Sequence, residues 1–342
     1  MADATAFIVN PKGNHHSDGR RWMACQRLCL RELAPAEVTT VETPDEAAEA
    51  ARQSALRGYR KLIAVGDAGT SHGVVNGVMS LADSHRRQLK VGFLSLSRPD
   101  QWSRTLDLPR NLLRQLEILS AGHTLPYDVG RVECQGPAGG RITRYFLNGA
   151  SLGVTSDLKR EWSDPHTNLL QTLLRQFGAL RGAAWPHGPR VRLEHKGAVL
   201  YEGDCALAML MEGRFHPDFG NVAPQADPTD GMLDVAWLGG LPWWRLALRL
   251  AGLWLGPLRQ PGAGLEWKTV PQLGAYSLRG PIAVEVDGQP VGLLPATFSV
   301  VPRSLPVMVA PVAVKLRKPV FAPVDKLQNG RLVGNVKSAA GM

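Results

Sequence analysis

The sequence predicts an α/β domain with a parallel sheet and flanking helices, followed by a β-rich domain that reads as a sandwich. Three observations predict it. Short apolar runs alternate with helical patterns through the first third of the chain. After about Tyr127 the pattern turns into short β-type runs separated by turns. At 342 residues the chain is also long for one domain. The expected boundaries are 1–126 for the first domain, 127–317 for the second and 318–342 for a loose tail rich in Pro, Gly, Lys and Ser.

In the first domain, Ala6-Phe7-Ile8-Val9 is a buried strand ending in the turn Asn10-Pro11-Lys12-Gly13. Residues 20–33 carry helical apolar spacing through Trp22, Met23, Leu28 and Leu30, and residues 38–41 form a second strand. Thr43-Pro44-Asp45-Glu46 starts a helix, with Pro in the first turn and acids at the positive end of the dipole. Residues 62–65 are a third strand, followed by Gly66-Asp67-Ala68-Gly69-Thr70-Ser71 and a helix; residues 91–94 are a fourth. Such alternation with short joins gives a parallel sheet covered on both faces, and ligands then bind at the carboxyl ends of the strands. Asn10, Thr43 and residues 66–71 all fall on that edge.

In the second domain the β-type runs are 141–147, 191–193, 199–202, 205–211, 233–238, 282–286 and 298–301, with Asp287-Gly288 as a hairpin signal. Helical patches interrupt them at 168–180 and 242–255.

Composition narrows the function. Hydrophobic content of 44% with 20% charged residues is globular. The four cysteines make no metal or disulfide pattern, and Cys25 and Cys29, four apart on a helix, read as a buried reduced pair suited to a reducing cytoplasm. No secretory signal and no bilayer-spanning apolar window is expected. The histidines form no zinc pattern. A net charge of +9 invites an anionic partner. Basic residues are scattered and no nucleic-acid motif occurs, so an acidic membrane surface or nucleotide phosphate is expected, not nucleic acid.

Three stretches carry candidate chemistry. Residues 66–71 admit two readings. One is a small-residue cradle whose backbone N–H groups and Thr70 and Ser71 hydroxyls take phosphate. The other is an ordinary strand-to-helix turn capped by Thr70. Asp227 and Asp230, with the carbonyl of Met232, form either a partial oxygen site for magnesium or an Asx-turn leading into a hairpin. Residues 242–255, with Trp243, Trp244, Arg245 and Arg249, form either a helix lying among lipid headgroups or one packed on the sandwich.

The order of Asn10-Pro11, Thr43, Gly66 to Gly77 ending Val74-Val75-Asn76-Gly77, Asn148-Gly149-Ala150-Ser151-Leu152-Gly153, the segment Ala223 to Val235, and Val286-Asp287-Gly288-Gln289 resembles the diacylglycerol kinase catalytic family, over roughly residues 5–313. The family includes bacterial lipid kinases and sphingosine and ceramide kinases. The resemblance implies transfer of the ATP γ-phosphate to a lipid hydroxyl with Mg2+. Asn10, Thr43, Gly66, Asp67, Ala68, Gly69, Thr70 and Ser71 would hold nucleotide. Asp227, Asp230 and Met232 would hold the metal. Asp287, Gln289 and Asp67 would take the catalytic positions, Asp287 sharing in the base's role. It also implies a cytoplasmic protein, peripheral at the inner membrane face.

The chain departs from the family at three places. Ala68 stands at the acid of Gly-Gly-Asp-Gly-Thr in an ungapped match, whereas one insertion would keep Asp67 there. Residues 95–104 lack the family's Gly-Thr pair, with Arg98 as a substitute charge. Gln289 stands for the Glu of Asp-Gly-Glu, and an amide takes no proton from a hydroxyl. A relative of the same fold that binds lipid or nucleotide without turnover is therefore the alternative.

Overall fold

The computed structural model describes residues 3–12, 17–96, 101–137, 139–153, 189–216, 220–239 and 265–311. The expected helices at 168–180 and 242–255, part of the 95–104 loop and the expected tail lie outside them.

The first half alternates as expected. Strand β1 (Thr5–Val9) leads to α1 (Ser17–Glu32), β2 (Ala36–Thr40) to α2 (Pro44–Leu56), and β3 (Lys61–Val65) to α3 (Ala68–Met79). A single turn, α4 (Asp83–Arg86), precedes β4 (Lys90–Leu94), and α5 (Gln101–Thr105) and α6 (Leu112–Ala121) follow. Strand order is β2-β1-β3-β4, all parallel. Successive strand side chains point to opposite faces. Ala6, Ile8, Leu62 and Ala64 accordingly pack with α2 and α3, whereas Phe7, Val9, Ile63 and Val65 pack with α1 and α6.

Helices α2 and α3 touch backbone to backbone. A Cβ on Gly73 would lie 2.2 Å from Pro44 O, and one on Gly77 would lie 2.0 Å from Ala48 O. Only glycine fits at either place, and this contact, continued at the first turn of α3 by Gly69 against Pro44 Cγ, fixes α3 against the first half of α2.

From β5 onward the sheet is antiparallel. Its strands are β5 (Thr124–Gln135), β6 (Arg141–Phe146), β7 (Gly149–Gly153), β8 (Arg190–His195), β9 (Ala198–Met211), the short pair β10 (Phe215–His216) and β11 (Gly220–Asn221), β12 (Leu233–Gly239), β13 (Leu265–Val270), β14 (Gln272–Ser277), β15 (Ala283–Val286) and β16 (Gln289–Met308). Two long strands replace what the sequence suggested as separate short ones. Residues 199–202 and 205–211 are one strand, β9, and residues 298–301 lie inside β16.

These two strands change partners along their length. β9 pairs β8 with its first half, then β7 and β12 with its second. β16 pairs β15, then β14, with β5 on its other side. The ladders β7-β15-β16-β14-β8-β9 therefore close on themselves, around a core that includes Leu152, Leu193, Ala208, Leu210, Leu273, Val284 and Phe298. Strand exchange between layers is how two antiparallel layers join at corners.

The two halves are not separate along the chain. The expected boundary at 126/127 falls within β5, and the far end of β16 returns to the parallel sheet, where Val307 pairs Val91 of β4. Asp287 and Gly288, with φ of 47° and 84°, make the two-residue turn between β15 and β16 that the sequence predicts. This turn hangs beside the carboxyl edge of the parallel strands.

Candidate functional site

The carboxyl edge of β1 and β3 holds the first group of candidates. Asn10 is buried and bridges three segments. Its N–H donates to Val65 O at 2.8 Å, its Oδ1 accepts from Lys12 N at 3.0 Å, and its Nδ2 donates to Glu42 O at 3.4 Å. Thr43 caps α2, accepting from Glu46 N at 3.2 Å. Gly66 has φ of 150°, and a Cβ there would lie 2.9 Å from Thr70 Oγ1 and 3.1 Å from Asn10 Cβ. Both observations require glycine.

The cap of α3 is Asp67, which corrects the reading that gave the role to Thr70. Asp67 Oδ1 accepts from Thr70 N at 2.8 Å and from Thr70 Oγ1 at 2.7 Å. The Thr70 hydroxyl is thus committed to Asp67, and Thr70 and Ser71 are 1% and 5% exposed. The hydroxyls do not face outward as the cradle reading supposed. What remains at the helix start are the backbone amides of Ala68 and Gly69, in the turn where an α-helix has no internal acceptors.

Gln289 meets this turn from the other half of the fold. A Cβ on Gly69 would lie 3.5 Å from Gln289 Nε2, 3.5 Å from Asp67 Oδ1 and 3.3 Å from Pro44 Cγ. Thus Asp67, Gly69 and Gln289 converge, although more than 200 residues separate them in sequence.

Asp287 does something other than expected. Its carboxylate is fully buried and accepts three backbone N–H groups: Leu147 at 3.1 Å on Oδ2, and Asn148 at 2.9 Å and Gly149 at 3.2 Å on Oδ1. Its own carbonyl accepts from Gln101 Nε2 at 3.0 Å. A carboxylate enclosed in this way clamps the β6–β7 turn and does not reach a substrate hydroxyl. The expectation that Asp287 shares in a base's role is therefore corrected. His72, one turn into α3, lies behind it with Nδ1 3.7 Å from Asp287 Oδ2. Asn76 secures α3 to β6, its Nδ2 donating to Tyr145 O and its Oδ1 accepting from Tyr145 N, both at 2.9 Å.

The second group sits at the start of β12. Asp227 Oδ1 accepts from Thr229 N at 3.1 Å and Thr229 Oγ1 at 2.7 Å, and Asp230 Oδ1 accepts from Met232 N at 2.9 Å. These are two consecutive Asx-turns, the simpler of the two sequence readings. Asp128 of β5 fastens them: its N–H donates to Pro228 O at 2.8 Å, and its carboxylate accepts from Gly231 N at 2.6 Å and Arg303 N at 2.6 Å.

Electrostatically the region is acidic. Burial, reinforced by Asp227, Asp234 and Asp128, pushes the Asp230 carboxyl up to about 6 despite its bond from Met232. Burial also raises Asp128 and Asp234. Glu212, just past the end of β9, is 1% exposed, and among the described residues neither carboxyl oxygen has a partner. Burial, then Asp128, Asp230 and Asp234, push its pKa well up. Hard carboxylate oxygens around an orphaned buried acid suit Mg2+, the metal the family resemblance implies. Among the described residues no three His, Cys, Asp or Glu side chains gather around one point. Asp227, Asp230 and the carbonyl of Met232 would therefore hold such an ion only with water completing the shell.

Asn148 joins the two groups. Its N–H goes to Asp287, its carbonyl accepts from Glu212 N at 2.9 Å and Gly213 N at 2.8 Å, and its Oδ1 accepts from Thr105 Oγ1 at 2.5 Å. Sequence reasoning missed His72, Asp128 and Glu212. For Asp128 and Glu212 the signal was a lone acid beside an apolar run, as in Ala206-Leu207-Ala208-Met209-Leu210-Met211-Glu212; His72, after Thr70 and Ser71, had none.

Residues 4–132 match the diacylglycerol kinase catalytic domain family. A diacylglycerol kinase of Staphylococcus carnosus is 24% identical over 233 residues, covering 68% of this chain and 71% of that one. A diacylglycerol kinase of Bacillus subtilis is 26% identical over 191 residues, covering 56% and 58%. A crystal structure of a diacylglycerol kinase from Bacillus anthracis shares the fold with a TM-score of 0.63 at 16% identity, over 91% of this chain and 98% of that one. Yeast NADH kinase, solved with NADH, shares it with a TM-score of 0.51 at 11% identity, over 90% and 83%. Over residues 4–132 the chain is thus similar to the diacylglycerol kinase catalytic domain family, and over 233 residues it is 24% identical to the Staphylococcus carnosus diacylglycerol kinase.

Proposed function

We propose that the chain is a diverged lipid kinase that transfers the ATP γ-phosphate to the hydroxyl of a diacylglycerol- or sphingoid-type lipid. The observation that carries this reading is the convergence of Asp67, the Ala68–Gly69 amides and Gln289 at the carboxyl edge of β3. The open amides of α3 bind phosphate oxygens, and Asn10 and Thr43 hold the neighbouring loops in place. Gln289 orients the lipid hydroxyl by hydrogen bonding without accepting its proton. Asp67 is the carboxylate beside it, its Oδ2 free of the capping bonds that occupy Oδ1. Magnesium, when bound, supplies neutralising charge for phosphate and for the acidic turn.

The lipid must be met at a bilayer. No helix among the described residues is long and apolar enough to cross a membrane. The net charge of +9 and the segment with Trp243, Trp244, Arg245 and Arg249, outside the described residues, support contact with the anionic inner face from the cytoplasm. Binding to anionic vesicles in preference to neutral ones, weakened by salt and by Trp243→Ala and Trp244→Ala, is the expected result in co-sedimentation.

Gln289 favours a second reading, in which the fold binds nucleotide or lipid without turnover. Purified protein with labelled ATP, magnesium and a panel of extracted lipids decides between them. Phosphorylated lipid supports the kinase, and its absence alongside measurable ATP binding supports the second reading.

A further inference from the structure

We propose that Glu212 is a water-linked outer carboxylate of a divalent-cation site, closing from the β9 side the acidic turn formed by Asp227 and Asp230. The inference deepens the magnesium part of the proposed function and rests on the reading of that turn as a cation site. It concerns a side chain to which the Asp227–Asp230–Met232 pattern gives no part.

The argument starts from position. Met211, the last residue of β9, pairs Gly149 on one side and Asp234 on the other. Glu212 follows it directly, and its backbone N–H is fixed by Asn148 O. The side chain is therefore held between the β6–β7 turn and the strand that the acidic turn leads into. Three carboxyl groups bear on it from three elements: Asp128 from β5, Asp230 from the turn and Asp234 from β12. Asp128 is occupied by Gly231 N and Arg303 N, and Asp234 by Thr269 Oγ1 at 3.0 Å. Among the described residues neither oxygen of Glu212 has a donor.

An enclosed carboxyl without a donor is costly as an anion and still unsatisfied as an acid. A nearby cation answers both problems, because it neutralises Glu212 together with Asp230. The described side chains do not close on one point. Glu212 therefore acts through water on an ion seated at the turn, in keeping with the habit of Mg2+ of retaining several waters. Such outer partners typically change metal affinity about 10–100-fold.

The test uses the full chain with MgCl2 or CaCl2 alone, without nucleotide or lipid. Melting curves in EDTA and across a cation titration are compared for wild type, Glu212→Gln, Glu212→Met and the double variant Asp227→Ala/Asp230→Ala. In EDTA the two Glu212 variants should melt at or above wild type, since an unsatisfied acid has been removed. Wild type should gain stability with cation, the double variant should not, and the Glu212 variants should need about tenfold more cation. An unchanged cation response in both Glu212 variants overturns the proposal. So does a wild type indifferent to cation, or Glu212 variants that melt lower in EDTA or fail to fold. Failure of the kinase reading appears separately, as absent lipid phosphorylation with the cation response intact.

Discussion

His72 Nδ1 lies 3.7 Å from Asp287 Oδ2, with both side chains almost wholly out of water. The contact ties helix α3 to the turn that presents Gln289. Only Gly288 separates Asp287 from Gln289, so whatever holds Asp287 also aims Gln289 at the first turn of α3.

Asp287 should accordingly be a stability residue before it is anything else. Asp287→Ala strands three backbone N–H groups and leaves a side-chain-bearing residue at φ of 47° without the carboxylate bonds that hold it there. The expected loss is about 3 kcal/mol by denaturant titration. Asp287→Gly should be about 1 kcal/mol milder because it tolerates the backbone. Equal losses for the two would show that the left-handed conformation contributes nothing.

Replacement at Gln289 tests the chemistry. A placed base contributes about 10²–10⁴-fold. Gln289→Glu should therefore speed a slow lipid kinase within that range, with ATP affinity by calorimetry little changed. Fast turnover by the wild type would mean that a neighbouring group already removes the proton.

The acidic turn predicts a pH dependence of definite sign. With its carboxyl raised to about 6, Asp230 binds its proton more tightly in the folded than in the unfolded chain. Its contribution to stability is greatest below about pH 4 and falls as pH rises to about 6. The stability difference between Asp230→Asn and wild type in EDTA should therefore grow in the variant's favour across that window. Magnesium should shrink the difference at pH 7. Solvent reaches Asp230, so the effect will be a modest one.

At the α2–α3 contact, Gly77→Ala places a methyl carbon 2.0 Å from Ala48 O. The helices must separate, at a cost of about 2–3 kcal/mol. ATP binding should weaken with it, because the same contact positions the start of α3. A variant that melts with wild type would show that the helices slide apart freely.

The parallel half of the fold was legible because its signals are local. Thr43-Pro44-Asp45-Glu46 marks the start of α2 within four residues, and each strand is one short apolar run. β16 was not legible, since Pro290, Pro295, Pro302 and Pro306 read as breaks; Pro295 and Pro302 fall at irregularities in the pairing with β5, and Pro290 and Pro306 sit within the ladders, opposite Glu285 and Pro126. Gly203 and Asp204 hid the continuity of β9 in the same way. At the site, the glycine turn and the Asp227–Asp230 pair could be found by spacing. Asp128 and Glu212 could not, because Asp128 meets Gly231 across 103 positions of sequence and Arg303 across 175.

The return of β16 to β4 bears on how this protein comes off the ribosome. The matched catalytic domain ends at residue 132, yet the outer edge of β4 waits for Val307, and β5 waits for the rest of the same strand. A nascent chain carrying every residue of that domain still displays an open parallel edge, which is a template for pairing with other chains. A fragment cut at the domain's end should aggregate on expression, whereas supplying a peptide of residues 289–308 should restore solubility.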